Sequence, residues 1–294
     1  MTEIFGIPVA VVLGQLMLGL VNGSYYALLS LGLAVIFGLM GVVNFAHGAF
    51  YALGAFAALL LLQHWEVNYW CALLLSPLLI GLLGVVVERL LLRHLYRLDP
   101  IYGLLLTFGI ALVVEGMLHQ LIGSSGQTYP VPRALTGAFN LGFMVLPVYR
   151  GWVILVSVLA CFGTWFVIER TRLGATLRAA AENGPLLQSF GVNVPLLVAM
   201  TYGGGVALAA LAGVLSAPII LVNSQMGSSL IVVVFAVVVI GGMGSIIGAI
   251  VSGLALGLVE GLTKVLYPEA SNVVVFVIMA LVLMVRPAGL FGKE

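Results

Sequence analysis

Apolar residues run through this chain in blocks, set apart by short polar breaks. The blocks fall at roughly 8–30, 45–63, 70–91, 101–121, 150–168, 196–221, 229–266 and 271–288. A helix needs about 20 apolar residues to cross the hydrocarbon of a bilayer, so each block predicts a crossing. The block at 229–266 is too long for one crossing and too rich in glycine for one straight helix. Counting its pieces, the pattern predicts about eight to ten transmembrane or broken helices in a single domain over 1–294. The fold class expected is an all-α polytopic integral membrane protein. Two polar stretches stand out by length, 122–149 and 169–195.

Composition sharpens this. Hydrophobic residues make up 63% of the chain and charged residues 7%, where a soluble domain carries about 25% charged residues. Such a chain cannot cover itself in water. The net charge of +1 and the lack of a basic patch interleaved with aromatics give no support to nucleic-acid binding. No Lys or Arg precedes the first apolar run, so that run reads as a membrane segment and not as a cleaved signal peptide. Cys71 and Cys161 read as small buried hydrophobes, and the scattered His47, His64, His94 and His119 show no metal spacing.

The basic residues set an orientation. Arg89, Arg93 and Arg97 flank one membrane exit, Arg170, Arg172 and Arg178 lie in the second polar stretch, and Arg286 and Lys293 end the chain. Two crossings separate the first group from the second, so both are expected on the cytoplasmic side, with 169–195 and the C-terminus. Arg133, Arg150 and Lys264 are left for the other side, which makes 122–149 an external loop.

Three constellations could carry chemistry. The first is Asn44-Phe45-Ala46-His47-Gly48, with Gly38 and Gly41 before it. Freed backbone groups in a membrane are tolerated only where protein or water satisfies them. Asn44 and His47 would therefore line or gate a polar pathway, or hold a helix break together. The second is Gly241-Gly242-Met243-Gly244-Ser245, followed by a ridge at Gly253, Gly257 and Gly261. Glycine costs about 1 kcal/mol in a helix, so the cluster marks a hinge beside a pathway or a tight turn between two spans. The ridge suits close packing of backbones. A faint internal echo joins the two: Val35–Gly41 aligns with Val238–Gly244.

The third constellation is the stretch 169–195. A helix over Ala175–Glu182 leads to a short one that starts at Pro185, carries Leu186, Leu187 and Phe190 on one face, and stops at Gly191. A helix this short is not stable alone. It must dock on the membrane surface or in an apolar groove of a partner, and the charged flanks favour a partner. Glu115 and Glu260 lie inside or near the ends of apolar runs and are candidates by default, each read as lacking an opposite charge at helical spacing.

No phosphate-binding GxxxxGK[ST], no HExxH and no GxSxG is present. Binding of ATP by a phosphate loop and hydrolase chemistry therefore lack a motif. Paired intramembrane charges, usual in an ion-coupled secondary transporter, are scarce.

Four stretches, in order along nearly the whole chain, carry a resemblance. They are Gly41–Gly48; Arg170–Gly174 with Arg178–Glu182; Ile240–Ala249; and Arg286–Gly292. Here the chain resembles the LivH-type permease subunits of branched-chain amino-acid ABC importers. The resemblance implies the ABC importer permease fold in a bacterial inner membrane, with a second homologous permease, two cytoplasmic ATPases and an external solute-binding protein as partners. ATP and Mg would be bound by the ATPases, with no cofactor in this chain and no enzymatic activity of its own. It also implies that 175–195 contains the loop that docks on an ATPase, in agreement with the partner-helix reading, which places the coupling at Glu182, Pro185, Leu186, Leu187, Phe190 and Gly191. The broken helices near 38–48 and 241–248 would supply the translocation path or gate, at Asn44, His47, Gly48, Gly241, Gly242, Gly244 and Ser245. One departure is Ala49, where members of the family often have an acid. An ion-coupled secondary transporter is the alternative.

Overall fold

The computed structural model describes residues 3–4, 7–96, 98–123 and 125–292. Arg97 and Lys293, used above for orientation, lie outside the described residues. The chain forms ten α-helices among these: α1 (Val9–Met40), α2 (Ala46–Trp65), α3 (Tyr69–Leu90), α4 (Pro100–Ile122), α5 (Val148–Arg170), α6 (Arg172–Ser189), α7 (Val194–Ser216), α8 (Met226–Gly241), α9 (Ile246–Leu266) and α10 (Val274–Val285). Seven of them, α1 to α5, α7 and α9, are long and apolar enough to cross a bilayer; α8 and α10 are shorter apolar helices. There are also two small antiparallel pairs, β1 (Glu3–Ile4) with β2 (Ile7–Pro8), and β3 (Ala138–Asn140) with β4 (Val145–Pro147), and short 3-10 turns. This is a polytopic helical membrane protein.

Several boundaries differ from the sequence pattern. The first span does not stop near residue 30 but runs to Met40, because Leu31–Met40 stays apolar until Gly41 closes the helix at φ 64°. The long block at 229–266 is two helices, broken at 242–245. The block at 196–221 ends as a helix at Ser216, and the last block is helical only over Val274–Val285. Both partners of the echo at 35–41 and 238–244 prove to be helix C-termini, closed by Gly41 and by Gly242 at φ 99°. Cys71 is exposed on α3, against the expectation of burial, while Cys161 is buried; both are free thiols.

Helix α1 runs through the middle, with α9, α7, α5 and α8 packed on it, and α2 packs on α7. Small residues set that packing. A side chain on Gly257 of α9 would strike the backbone of Gly23 on α1, and one on Gly253 would strike Ala27. The ridge read from the sequence is thus the α1–α9 seam. Outward faces of the peripheral helices remain apolar and exposed, as at Leu74, Leu78 and Leu82 on α3 and Leu155, Leu159 and Phe162 on α5. Lipid tails are as apolar as leucine, so nothing drives such faces inward.

The two ends of the bundle are built differently. At one end a cluster of aromatic hydroxyls closes α7. The phenols of Tyr149 and Tyr25 donate to the Leu215 carbonyl at 3.0 and 3.3 Å, and Tyr69 and Tyr149 meet at 3.0 Å. The loop from α4 to α5 lies at this end, where Gln127 pairs with Val222. At the other end sit α6, the 242–245 turn and the C-terminal segment, which share a cavity of about 620 Å³ or pack on its walls.

Candidate functional site

The connector 41–45 returns the chain from the end of α1 into the bundle, and α2 starts there at Ala46. Its polar groups face protein. Asn44 is 2% exposed, and its amide nitrogen donates to the phenol of Tyr202 on α7 at 3.1 Å. His47 is fully buried, with Nε2 3.0 Å from the Leu29 carbonyl of α1. Asn44 Oδ1 and His47 Nδ1 have no hydrogen-bond partner within the described residues. Phe45 is held by its backbone N–H on Thr107 of α4 at 3.2 Å and by its ring, stacked on Phe235 of α8 at 5.7 Å. Gly48 lets α2 touch α8: a Cβ there would lie 2.5 Å from the Gly227 carbonyl. Asn44 and His47 thus tie α1, α2 and α7 together, whereas Gly48 opens onto a cavity of about 160 Å³ between α2, α4 and α8. Ala49, at the position of departure from the resemblance, lines the same cavity, as does Glu115 of α4.

The glycine cluster lies at the other site. Gly241 packs against the backbone of Gly248, joining α8 to α9. Gly242 and Gly244 take φ of 99° and 84°, which side chains other than glycine rarely adopt. Ser245 caps α9, its hydroxyl accepting from the Gly248 N–H at 3.1 Å. The cluster is therefore a tight turn at the end of the bundle that carries α6. The C-terminal segment closes it: the N–H groups of Leu290 and Phe291 donate to the carbonyls of Ile240 and Gly241 at 2.8 and 3.1 Å. These are α8 C-terminal carbonyls, which no intrahelical donor can reach. The stretch Arg286–Gly292 thus has a physical role that its sequence did not disclose. The turn also meets α1, where Gly38 lies against the Gly244 backbone.

Helix α6 begins at Arg172, three residues before the expected Ala175, and is kinked at Asn183 (φ −150°, ψ 82°). Asn183 restarts the helix, its Oδ1 accepting from the Leu186 N–H at 3.0 Å. Pro185 is then the second residue of the restarted piece, and Gly191 at φ 83° follows its end. Leu186 is 54% exposed and Phe190 76%, while Leu187 is half-buried, so the three do not share one free face as expected. Glu182 is exposed and lines the 620 Å³ cavity with Arg178, Gly38 and Gly244. The base of α6 is fixed to α5. Arg178 donates to the Ile168 carbonyl at 2.7 Å and lies 3.6 Å from Glu169, and Gly174 packs so tightly on that carbonyl that no side chain fits.

Of the buried or half-buried carboxylates, Glu260 differs from what the sequence suggests, Glu88 was not singled out there, and Glu115 stands as read. Glu260 has a cation at helical spacing after all: Lys264, four residues on, donates to it, and Tyr26 of α1 donates to its other oxygen at 2.6 Å. The i, i+4 spacing is visible in the sequence. Glu88, easily overlooked beside Arg89, is buried and accepts from Tyr96 at 2.6 Å. Burial, then the Glu88 carboxylate, pushes the Tyr96 phenol well above its usual range. Glu115 makes no hydrogen bond or ion pair among the described residues.

Comparison with known proteins settles the class. The family described as branched-chain amino acid transport system / permease component matches residues 15–283. The chain belongs to this family. This permease is 31% identical to the high-affinity branched-chain amino acid transport system permease protein BraD of Pseudomonas aeruginosa, over 96% of each chain. It is 28% identical to the LivH permease of Escherichia coli K12, again over 96% of each chain. It is 26% identical to LivM of the same strain, covering 90% of this chain and 67% of LivM. No solved structure matches the permease.

Proposed function

We propose that the chain is the membrane-spanning subunit of an ATP-driven importer of branched-chain amino acids. It forms the translocation path with a second permease, and two cytoplasmic ATPases that bind ATP and Mg drive it. An external binding protein delivers the solute. The substrate class follows that of BraD and LivH, and the similarity to both LivH and LivM supports a paired permease.

The observation that carries the ATP-driven reading is α6. It stands outside the membrane-length helices, is pinned at its base to α5, and presents Leu186 and Phe190 to solvent at its far end. An exposed apolar tip on a rigid base suits a groove in a partner. Arg89, Arg93, Arg170, Arg172, Arg178 and Arg286 lie on that side, against Arg133, Arg150 and Lys264 on the other. The excess of basic residues supports a cytoplasmic position for α6 and the C-terminus, in an inner membrane. A conformational change received at α6 passes to α1 and the 242–245 turn, which share its cavity. The test is uptake of radiolabelled leucine into proteoliposomes holding the full assembly. Uptake should require ATP hydrolysis and both permeases; uptake driven by an ion gradient without the ATPases would refute the reading.

A further inference from the structure

Glu115 sits at an unusual place. It lies on α4, four residues past the midpoint of Pro100–Ile122, and shares a cavity with Ala52 of α2. An acidic group near the centre of a spanning helix is costly, and such groups normally pair or face a polar pathway. Glu115 is half-buried and has no partner among the described residues, unlike Glu88 and Glu260. The cavity it lines is about 160 Å³. A cavity of about 150 Å³ admits benzene, so this space is on the scale of one small amino acid and excludes a peptide. On the α2 side Gly48, Ala49 and Ala52 keep the wall low; Leu112, Ile231 and Val232 make the rest apolar; Ser228 adds a hydroxyl. That hydroxyl donates to the Gln225 carbonyl at 3.1 Å, which leaves its lone pairs free to accept.

We infer that this cavity is a transient subsite for the transported amino acid, with the Glu115 carboxylate receiving its α-ammonium group. The inference rests on the amino-acid importer reading above. A carboxylate and a hydroxyl are acceptors for an ammonium's three N–H donors, and the apolar wall suits an aliphatic side chain. Other occupants fit worse. Glu115 is the only ionisable side chain lining the cavity among the described residues, so neither a multi-carboxylate cation site nor a chain of proton carriers is built there. The larger cavity of about 400 Å³ between α1, α5 and α9 offers the hydroxyls of Ser24 and Ser157 but no charged side chain, so no carboxylate there would neutralise an ammonium.

The test uses the full transporter in proteoliposomes, with leucine uptake measured for wild type, Glu115→Gln, Glu115→Asp and Ser228→Leu. Ser228 is exposed, so leucine there fills the cavity without burdening the fold. A hydrogen bond to a charged group is worth about 1.5–3 kcal/mol, so Glu115→Gln should lower leucine uptake by about tenfold or more, with Glu115→Asp retaining most of it. Ser228→Leu should lower it comparably. If Glu115→Gln does not assemble, the rate of Ser228→Leu decides the matter. Ser228→Leu transporting at the wild-type rate overturns the inference, as does an assembled Glu115→Gln that does so. A wild-type transporter that imports no branched-chain amino acid at all would instead sink the importer reading itself.

Discussion

The amide of Asn44 donates to the phenol of Tyr202 across 3.1 Å, and both side chains are buried. This one bond fastens the connector between α1 and α2 to α7. Tyr202→Phe removes the acceptor and leaves the amide nitrogen without a partner. Interhelical hydrogen bonds in membranes are worth about 0.6 kcal/mol on average and about 1.7 at most. Thermal unfolding of the purified permease in detergent should show a Tm slightly below wild type. An unchanged Tm would mean that Asn44 finds another partner.

Glu260, Tyr26 and Lys264 join α9 to α1. Glu260 is 8% exposed, whereas the Lys264 side chain is 38% exposed. Removing one partner of a buried pair leaves a carboxylate uncompensated, and water at Lys264 moderates the loss. Lys264→Met should therefore lower the Tm, and Tyr26→Phe should lower it further. A double-mutant cycle should give a non-zero coupling, since both residues act on one carboxylate. Strict additivity would show that they do not share it.

The 242–245 turn and the C-terminal segment hold each other. Gly242 has φ 99°, and a side chain on it would collide with the Gly292 backbone. Gly242→Val should free Arg286–Gly292, raise hydrogen exchange at the Leu290 and Phe291 amides, and reduce transport while the α1–α9 seam stays protected. Unchanged protection of those amides would show that the segment does not depend on the turn.

Much of the helix pattern was legible because a spanning helix must be apolar along its length. Residues 229–266 announced their break through three glycines in four positions, and the i, i+4 pair Glu260–Lys264 was readable too. The interior was harder. In a membrane, lipid-facing and buried positions are both apolar, so hydropathy could not tell exposed Leu74 from buried Leu28. Nor could it place Asn44 and His47 inside the α1–α2–α7 junction while Gly48 and Glu115 reach the cavity. Capping of α8 by Leu290 and Phe291 is a long-range contact that no local pattern encodes.

The central claim is that α6 transmits the work of a partner ATPase, and Phe190 tests it most directly. It is the most exposed apolar side chain at the tip of α6, at 76%. Aromatic anchors of this kind carry about 2 kcal/mol or more at an interface. The measurement is ATP hydrolysis stimulated by substrate-loaded binding protein, made on the assembled transporter with Phe190→Ala and scored beside ATPase subunit retention. The expected result is loss of stimulation, with or without loss of the subunit. Wild-type stimulation together with full retention would contradict the account and leave α6 lying on the membrane surface.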